Sequence, residues 1–248
     1  MRTERRYEHA PAGTLPGLLQ RGRGLGALMA AEDPSAAAEL VYGCVRWEWR
    51  WDTAVDQRLV YLARLVRDLA LPFGPVAERS EAGARARADE VLELLAHGHV
   101  RRDGAGEHGE HGQGADPRPL PVLLEELERC WVERTWCGPA ALARGLAGYG
   151  PEAAGAASLL RRFWLWTPHS HERPAYLEAL AAVAPAGLDE AYVESLWDCE
   201  SGARLSAIRH APQRPEVRAR LVRLRDDPLE ETAVRDAAAV RLGGGGAG

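Results

Sequence analysis

An all-α chain is predicted, arranged as an α-solenoid of stacked antiparallel helical pairs with one flexible insertion, and three observations predict it. Apolar residues recur at three- and four-residue spacing along most of the 248 residues, whereas β-branched and aromatic residues almost never alternate over a useful window. Short amphipathic segments follow one another with brief connections, the pattern of helical pairs that stack on their neighbours. The chain also resembles itself: "GARLSAIRH" (Gly202 to His210) overlays "AVRDAAAVR" (Ala233 to Arg241), pairing Arg204 with Arg235 and Ala207 with Ala238.

Residues 1–13 are polar and basic and are expected to be a flexible N-terminus, ahead of an N-terminal helical segment over 14–101. Asp33 followed by Pro34 is an N-cap with proline at the first helical position, so a helix should run through "SAAAELVYGCVRW". Asp52 is the next expected cap. Behind it Val55, Leu59, Leu62, Leu65, Val66 and Leu69 form one stripe that Leu71-Pro72 ends. Ser80 should cap a third helix in "ARADEVLELLAHG". Residues 102–118 are rich in Gly and His and hold no apolar side chain larger than alanine, so they are expected to be a flexible insertion. From 119 to 242 short helices recur, with Pro139, Pro151, Pro174 and Pro215 at or near their starts. A glycine tail, 243–248, closes the chain.

Composition bounds the function. A formal charge of −5 argues against a generally basic nucleic-acid binder. Cys44, Cys130, Cys137 and Cys199 contain no CxxC pair, which fits a reduced, cytoplasmic protein and not a disulfide scaffold. No window approaches the ~18 apolar residues of a membrane span. The chain has no lysine, which removes Schiff-base chemistry, and it carries no GxSxG, P-loop or strand-linked GxGxxG.

"LRDDPLEETAVRDAAAVRLG", Leu224 to Gly243, resembles the HEAT-type repeat in its Asp-Pro turn, its Val-Arg, its small-residue pair and its closing Leu-Gly. Asp227 and Pro228 stop one helix, Val234 and Leu242 enter the core, and Ala237 and Ala238 admit the neighbouring helix. Arg235 is expected to pair with the turn acids. The middle of the chain, with "CVRWEWRWD" and "VLELLA", is similar to a group of GC-rich actinobacterial HEAT-repeat proteins. The resemblance implies an α-solenoid with a protein-binding role. Related repeats also occur in phycobilin lyases and in DNA glycosylases, but no residue here matches a catalytic motif of either.

Two aromatic runs stand out. In "VRWEWRWDT" the rings of Trp47 and Trp51 are expected to fill the corner between two helices. Trp49, flanked by Arg46 and Arg50, is the ring expected outside, as an aromatic-arginine anchor for a partner. In "RRFWLWTPHSHERP" Leu159, Leu160 and Phe163 make a core stripe bordered by Trp164, while Arg161 and Arg162 face out. Arg214, Arg218 and Arg225 can share one helix face, a modest basic stripe suited to phosphate or acidic partners. The HxH of His169 and His171 and the HxxH of His108 and His111 lack the usual spacing of further ligands, and Cys130 and Cys137 are too far apart in sequence to complete one. No metal and no cofactor are expected. Acid pairs such as Glu125 and Glu126, Asp189 and Glu190, Asp226 and Asp227, and Glu230 and Glu231 lie at helix starts or on polar faces, where acids stay solvated. The expectation is a non-catalytic cytoplasmic scaffold that binds a protein partner. The alternative is a HEAT-type glycosylase holding damaged DNA in a concave groove, with Trp164, Trp166 and Arg161 as candidates.

Overall fold

Helix caps and apolar periods turn into helices much as the pattern requires. The computed structural model describes residues 9–50, 55–74, 82–98 and 118–244. Among them there is no strand, and the helices are α1 (Leu15–Gln20), α2 (Gly24–Glu32), α3 (Pro34–Arg46), α4 (Arg58–Asp68), α5 (Ala82–His97), α6 (Leu120–Glu133), α7 (Pro139–Gly148), α8 (Ala157–Trp166), α9 (Arg173–Val183), α10 (Asp189–Ser195), α11 (Ser201–His210), α12 (Pro215–Asp226) and α13 (Thr232–Gly243). Two 3-10 turns, Gly150–Ala156 and Ser170–Glu172, precede α8 and α9. Asp33 caps α3 by accepting from the Ala36 N–H at 3.0 Å. Pro139 and Pro215 open their helices, where the missing N–H has no partner to lose.

Several boundaries differ from expectation. Helix α4 begins at Arg58, not just behind Asp52, because the Asp56 carboxylate takes the Arg58 N–H at 3.0 Å and bends the chain there. Residues 9–13 are packed: Ala12 is buried, the Ala10 N–H donates to Gln20 Oε1 at 2.7 Å, and an Arg21 N–H donates to the Ala10 carbonyl at 2.8 Å. Arg118, placed at the end of the insertion, is fixed by a 2.6 Å bond to Glu126, and its carbonyl accepts from the Tyr149 hydroxyl. Trp51, Asp52, Ser80, His108 and His111 lie outside the described residues, as do 1–8, 99–117 and the last four of the tail.

Two apolar cores form. The C-terminal one gathers Leu127, Leu146, Leu160, Phe163, Tyr176, Leu180, Leu221, Val234 and Ala238, with α9 packed on α7, α8 and α11 and with α13 on α11 and α12. The N-terminal one gathers Leu19, Val41, Val45, Leu62, Val66 and Val91 from α1 and α3 to α5. Cys199 and Leu229, from the C-terminal half, enter the N-terminal core, and the Trp197 ring borders both.

The turn Arg21-Gly22-Arg23-Gly24 docks the halves. The Gly22 carbonyl accepts from the Cys199 N–H at 2.9 Å. Gly22 has φ +64, and a Cβ there would meet Cys199 Sγ at 2.5 Å. A Cβ on Gly24 would stand 1.9 Å from the Glu194 carbonyl oxygen. Only glycine allows both approaches.

Candidate functional site

Where the halves meet, the packing is ionic. Arg173, fully buried at the start of α9, forms a fork with Asp198 at 2.8 and 3.0 Å and donates to the Arg21 carbonyl at 2.8 Å. Arg58 grips Asp56, Arg23 grips Glu194 at 2.7 and 2.9 Å, and Arg204 reaches Glu230 at 2.6 Å. Arg64 and Arg67, on α4, bind Asp227 in the turn before α13. Planar forks suit this work, because a guanidinium can meet a carboxylate through two directed bonds, as Arg23, Arg58 and Arg173 do here. The turn acids are therefore taken by Arg64, Arg67 and Arg204. Arg235, expected to hold them, donates instead to the Thr232 hydroxyl.

The electrostatics follow from burial. Glu200 lies beside Asp56 in this core, and desolvation together with the Asp56 charge lifts its carboxyl from 4.5 to about 7. Burial also pushes Glu230 up, but Arg204 and Arg64 outweigh it and hold that carboxyl below its ordinary value. His9 and His169 are lowered, to about 3 and about 4, chiefly by desolvation and then by neighbouring cations. Arg220 is lowered to about 9 by burial and by Arg64 and Arg204, and its guanidinium lies 3.7 Å over the Trp197 ring. This density of matched charge joins two cores.

The first aromatic run is arranged in reverse of expectation. Trp47, the capping residue of α3, is 46% exposed, while Trp49 packs on the N-terminal core with His9 edge-on at 5.1 Å. Arg50 does not stand out as an anchor: its side chain is buried and forked to Glu48 at 2.7 and 2.8 Å. These side chains line a crevice of about 10 Å³ with Arg58 and Arg87, room for about one water.

The second run builds a surface. At the C-terminal ends of α6 and α8, Trp131 meets Trp136, Phe163 and Trp166 edge to face, at 5.8, 5.4 and 6.2 Å. Trp164 is buried, as the core stripe requires, whereas Trp166 is 43% exposed. The exposed Arg162 lies 5.9 Å over the Trp131 ring and Arg134 lies 4.7 Å from its centre. Arg134 holds φ +58 at the end of α6, a left-handed conformation that costs a non-glycine residue roughly 1 kcal/mol. Its stack on Trp131 offsets that cost. Val132 beside it is 73% exposed. Arg161 is exposed on the same helix as Arg162. Arg218 is exposed on α12, but Arg214 is engaged by Glu190 at 2.7 Å and Arg225 by Asp226 at 2.7 Å, so that stripe is largely neutralised locally.

An open groove of about 550 Å³ borders this region, lined by Arg118, Glu126, Arg129, Cys130 and Cys137. Sequence reasoning missed the buried arginines and the docking turn; "RGRG" at 21–24 and "DCE" at 198–200 were their only traces. No family model matches the chain. The curated proteins and the solved structures hold no match either. Among the described residues no helix is long and apolar enough to cross a membrane.

Proposed function

We propose that the chain is a non-catalytic, cytoplasmic binding protein of the HEAT-like helical-repeat type that grips a protein partner through the Trp131-Trp136-Trp166 surface. The observation that supports it is the pairing of a large exposed ring, Trp166, with arginines laid over its neighbour Trp131. Tryptophan and arginine are the residues most enriched where binding energy concentrates, and rings locked edge to face lose little freedom on association. Arg134, Arg161 and Arg162 favour a partner that offers carboxylates at the rim and an apolar side chain at the centre. Helical pairs stacked side by side would supply the rigid frame that such a surface needs. The repeat-like overlay of α11 on α13 speaks for that arrangement.

Aromatic faces with arginines also suit unpaired bases. The test is affinity purification of the tagged chain, with and without nuclease, beside Trp166→Ala and Arg162→Glu variants of unchanged thermal midpoint. A stoichiometric, nuclease-resistant protein lost in both variants is the expected result. Retention of nucleic acid alone, released by nuclease, would overturn the reading in favour of the glycosylase-like alternative.

A further inference from the structure

A second feature adjoins that surface: the turn joining α8 to α9. Thr167 to Glu172 are fixed by local bonds, with the His169 N–H donating to the Thr167 hydroxyl at 3.1 Å and the Glu172 N–H to the His169 carbonyl at 3.1 Å. The resulting 3-10 turn draws together side chains that an extended loop would splay. A nitrogen of His169, a nitrogen of His171 and a carboxylate oxygen of Glu172 all lie within 4.8 Å of one another. The two imidazoles stack with centroids 5.7 Å apart.

Three further observations give this cluster a ligand-binding character. Glu172 is buried, yet its two hydrogen bonds come from neutral donors, the Gly138 N–H at 2.8 Å and the Tyr176 hydroxyl at 2.6 Å. Among the described residues it forms no ion pair with an arginine, in a protein whose other buried carboxylates are gripped by guanidinium groups or shifted toward the acid form. A buried carboxylate without a cationic side chain is left with metal coordination as one way of balancing its charge. Among the described residues, the buried Nδ1 atom of His171 has no hydrogen-bond partner. Finally, the Gly138 N–H and the Tyr176 hydroxyl each fix one oxygen of the carboxylate, the kind of support that metal-ligating carboxylates receive from their surroundings.

We propose that His169, His171 and Glu172 bind one divalent transition-metal ion of the zinc and cobalt class. Two imidazoles and one carboxylate suit such ions and not magnesium or calcium, which take oxygen ligands. A tetrahedral ion about 2.1 Å from each ligand spaces them roughly 3.4 Å apart. The three ligand atoms, within 4.8 Å of one another, would draw together on binding, and the partial exposure of His171 gives the ion its way in. The fourth position is open to water or to a side chain. Through Glu172 and Gly138 the ion would brace the loop carrying Trp136 against the turn after Trp166.

The test uses the full chain, freed of any histidine tag and stripped with a chelator, titrated with Co²⁺ and followed by its d–d absorption, then with Zn²⁺ by calorimetry. His108 and His111 are replaced by Gln, and Cys130 and Cys137 by Ser, in a control chain. The expected result is one saturable site per chain with tetrahedral-type Co²⁺ bands, kept in the control chain. His171→Ala and Glu172→Gln should each weaken it at least tenfold, with His171→Ala folded by circular dichroism. Binding that vanishes in the control chain, that survives His171→Ala unchanged, or that never saturates would overturn the proposal.

Discussion

Replacing Arg173 by methionine tests whether the ionic junction holds the two cores together. Arg173 is fully buried, and its partner Asp198 is 1% exposed, so the substitution leaves a carboxylate in the interior without its cation. Breaking a buried pair from one side costs about 3–5 kcal/mol. The Arg21 carbonyl loses its donor as well, whereas the Gly22 carbonyl keeps the Cys199 N–H. For a chain of this size each kcal/mol moves the midpoint by about 2–4 °C, so thermal unfolding should shift down by about 6–20 °C. Arg173→Met combined with Asp198→Asn removes the stranded charge and keeps an oxygen for the Glu200 N–H. That double variant should regain about 1–3 kcal/mol over the single one. A single variant within about 1 kcal/mol of the native chain, or a double variant less stable than the single one, would refute the reasoning.

Glu200→Gln should change how stability depends on pH. The folded carboxyl titrates near 7 and an ordinary one near 4.5, so the folded state holds the proton more tightly. Its contribution is therefore fully present below 4.5 and is lost as pH rises through about 7, a total on the order of 3 kcal/mol. Gln should flatten that fall and stabilise the chain at pH 8; parallel midpoint curves between pH 5 and 8 would exclude the effect. Ala238→Leu should overpack the contact of α13 with α11 and α12, where Ala238 is fully buried, at a cost of about 1–3 kcal/mol in urea unfolding. An unchanged midpoint there would mean that the helices do not pack as described.

Helices were legible in the sequence because their causes are local. The Asp33 cap, the N1 prolines and the apolar stripes act within a few residues, and α3, α6, α7, α9 and α11 through α13 lie where those signals put them, whereas Pro151 opens a 3-10 turn, α8 starts only at Ala157 and α10 stops at Ser195. Val234 and Ala238 were also readable as core, since the period of α13 leaves no other face for them.

The ionic junction was not legible, because its partners are far apart in the chain. Arg23 finds Glu194, Arg64 finds Asp227 and Gln57 finds Ser201, and nothing in either segment announces the other. Acids at a helix start look solvated until a distant helix covers them, which is how Asp227 and Glu230 came to be buried. The reversal of Trp47 and Trp49 has the same origin: both rings lie in an irregular junction, and contact with His9 and the N-terminal core decides which one is covered. The cluster of His169, His171 and Glu172 needed the turn geometry, since HxHE spacing in an extended loop does not bring three ligands to one point. Sequence by itself determined that the chain is helical and where most of its capped and proline-led helices start, since both follow from short-range backbone and side-chain preferences. Only the tertiary structure decided which charges would be paired inside and which aromatic rings would remain on the surface, because those outcomes depend on what another part of the chain brings against them.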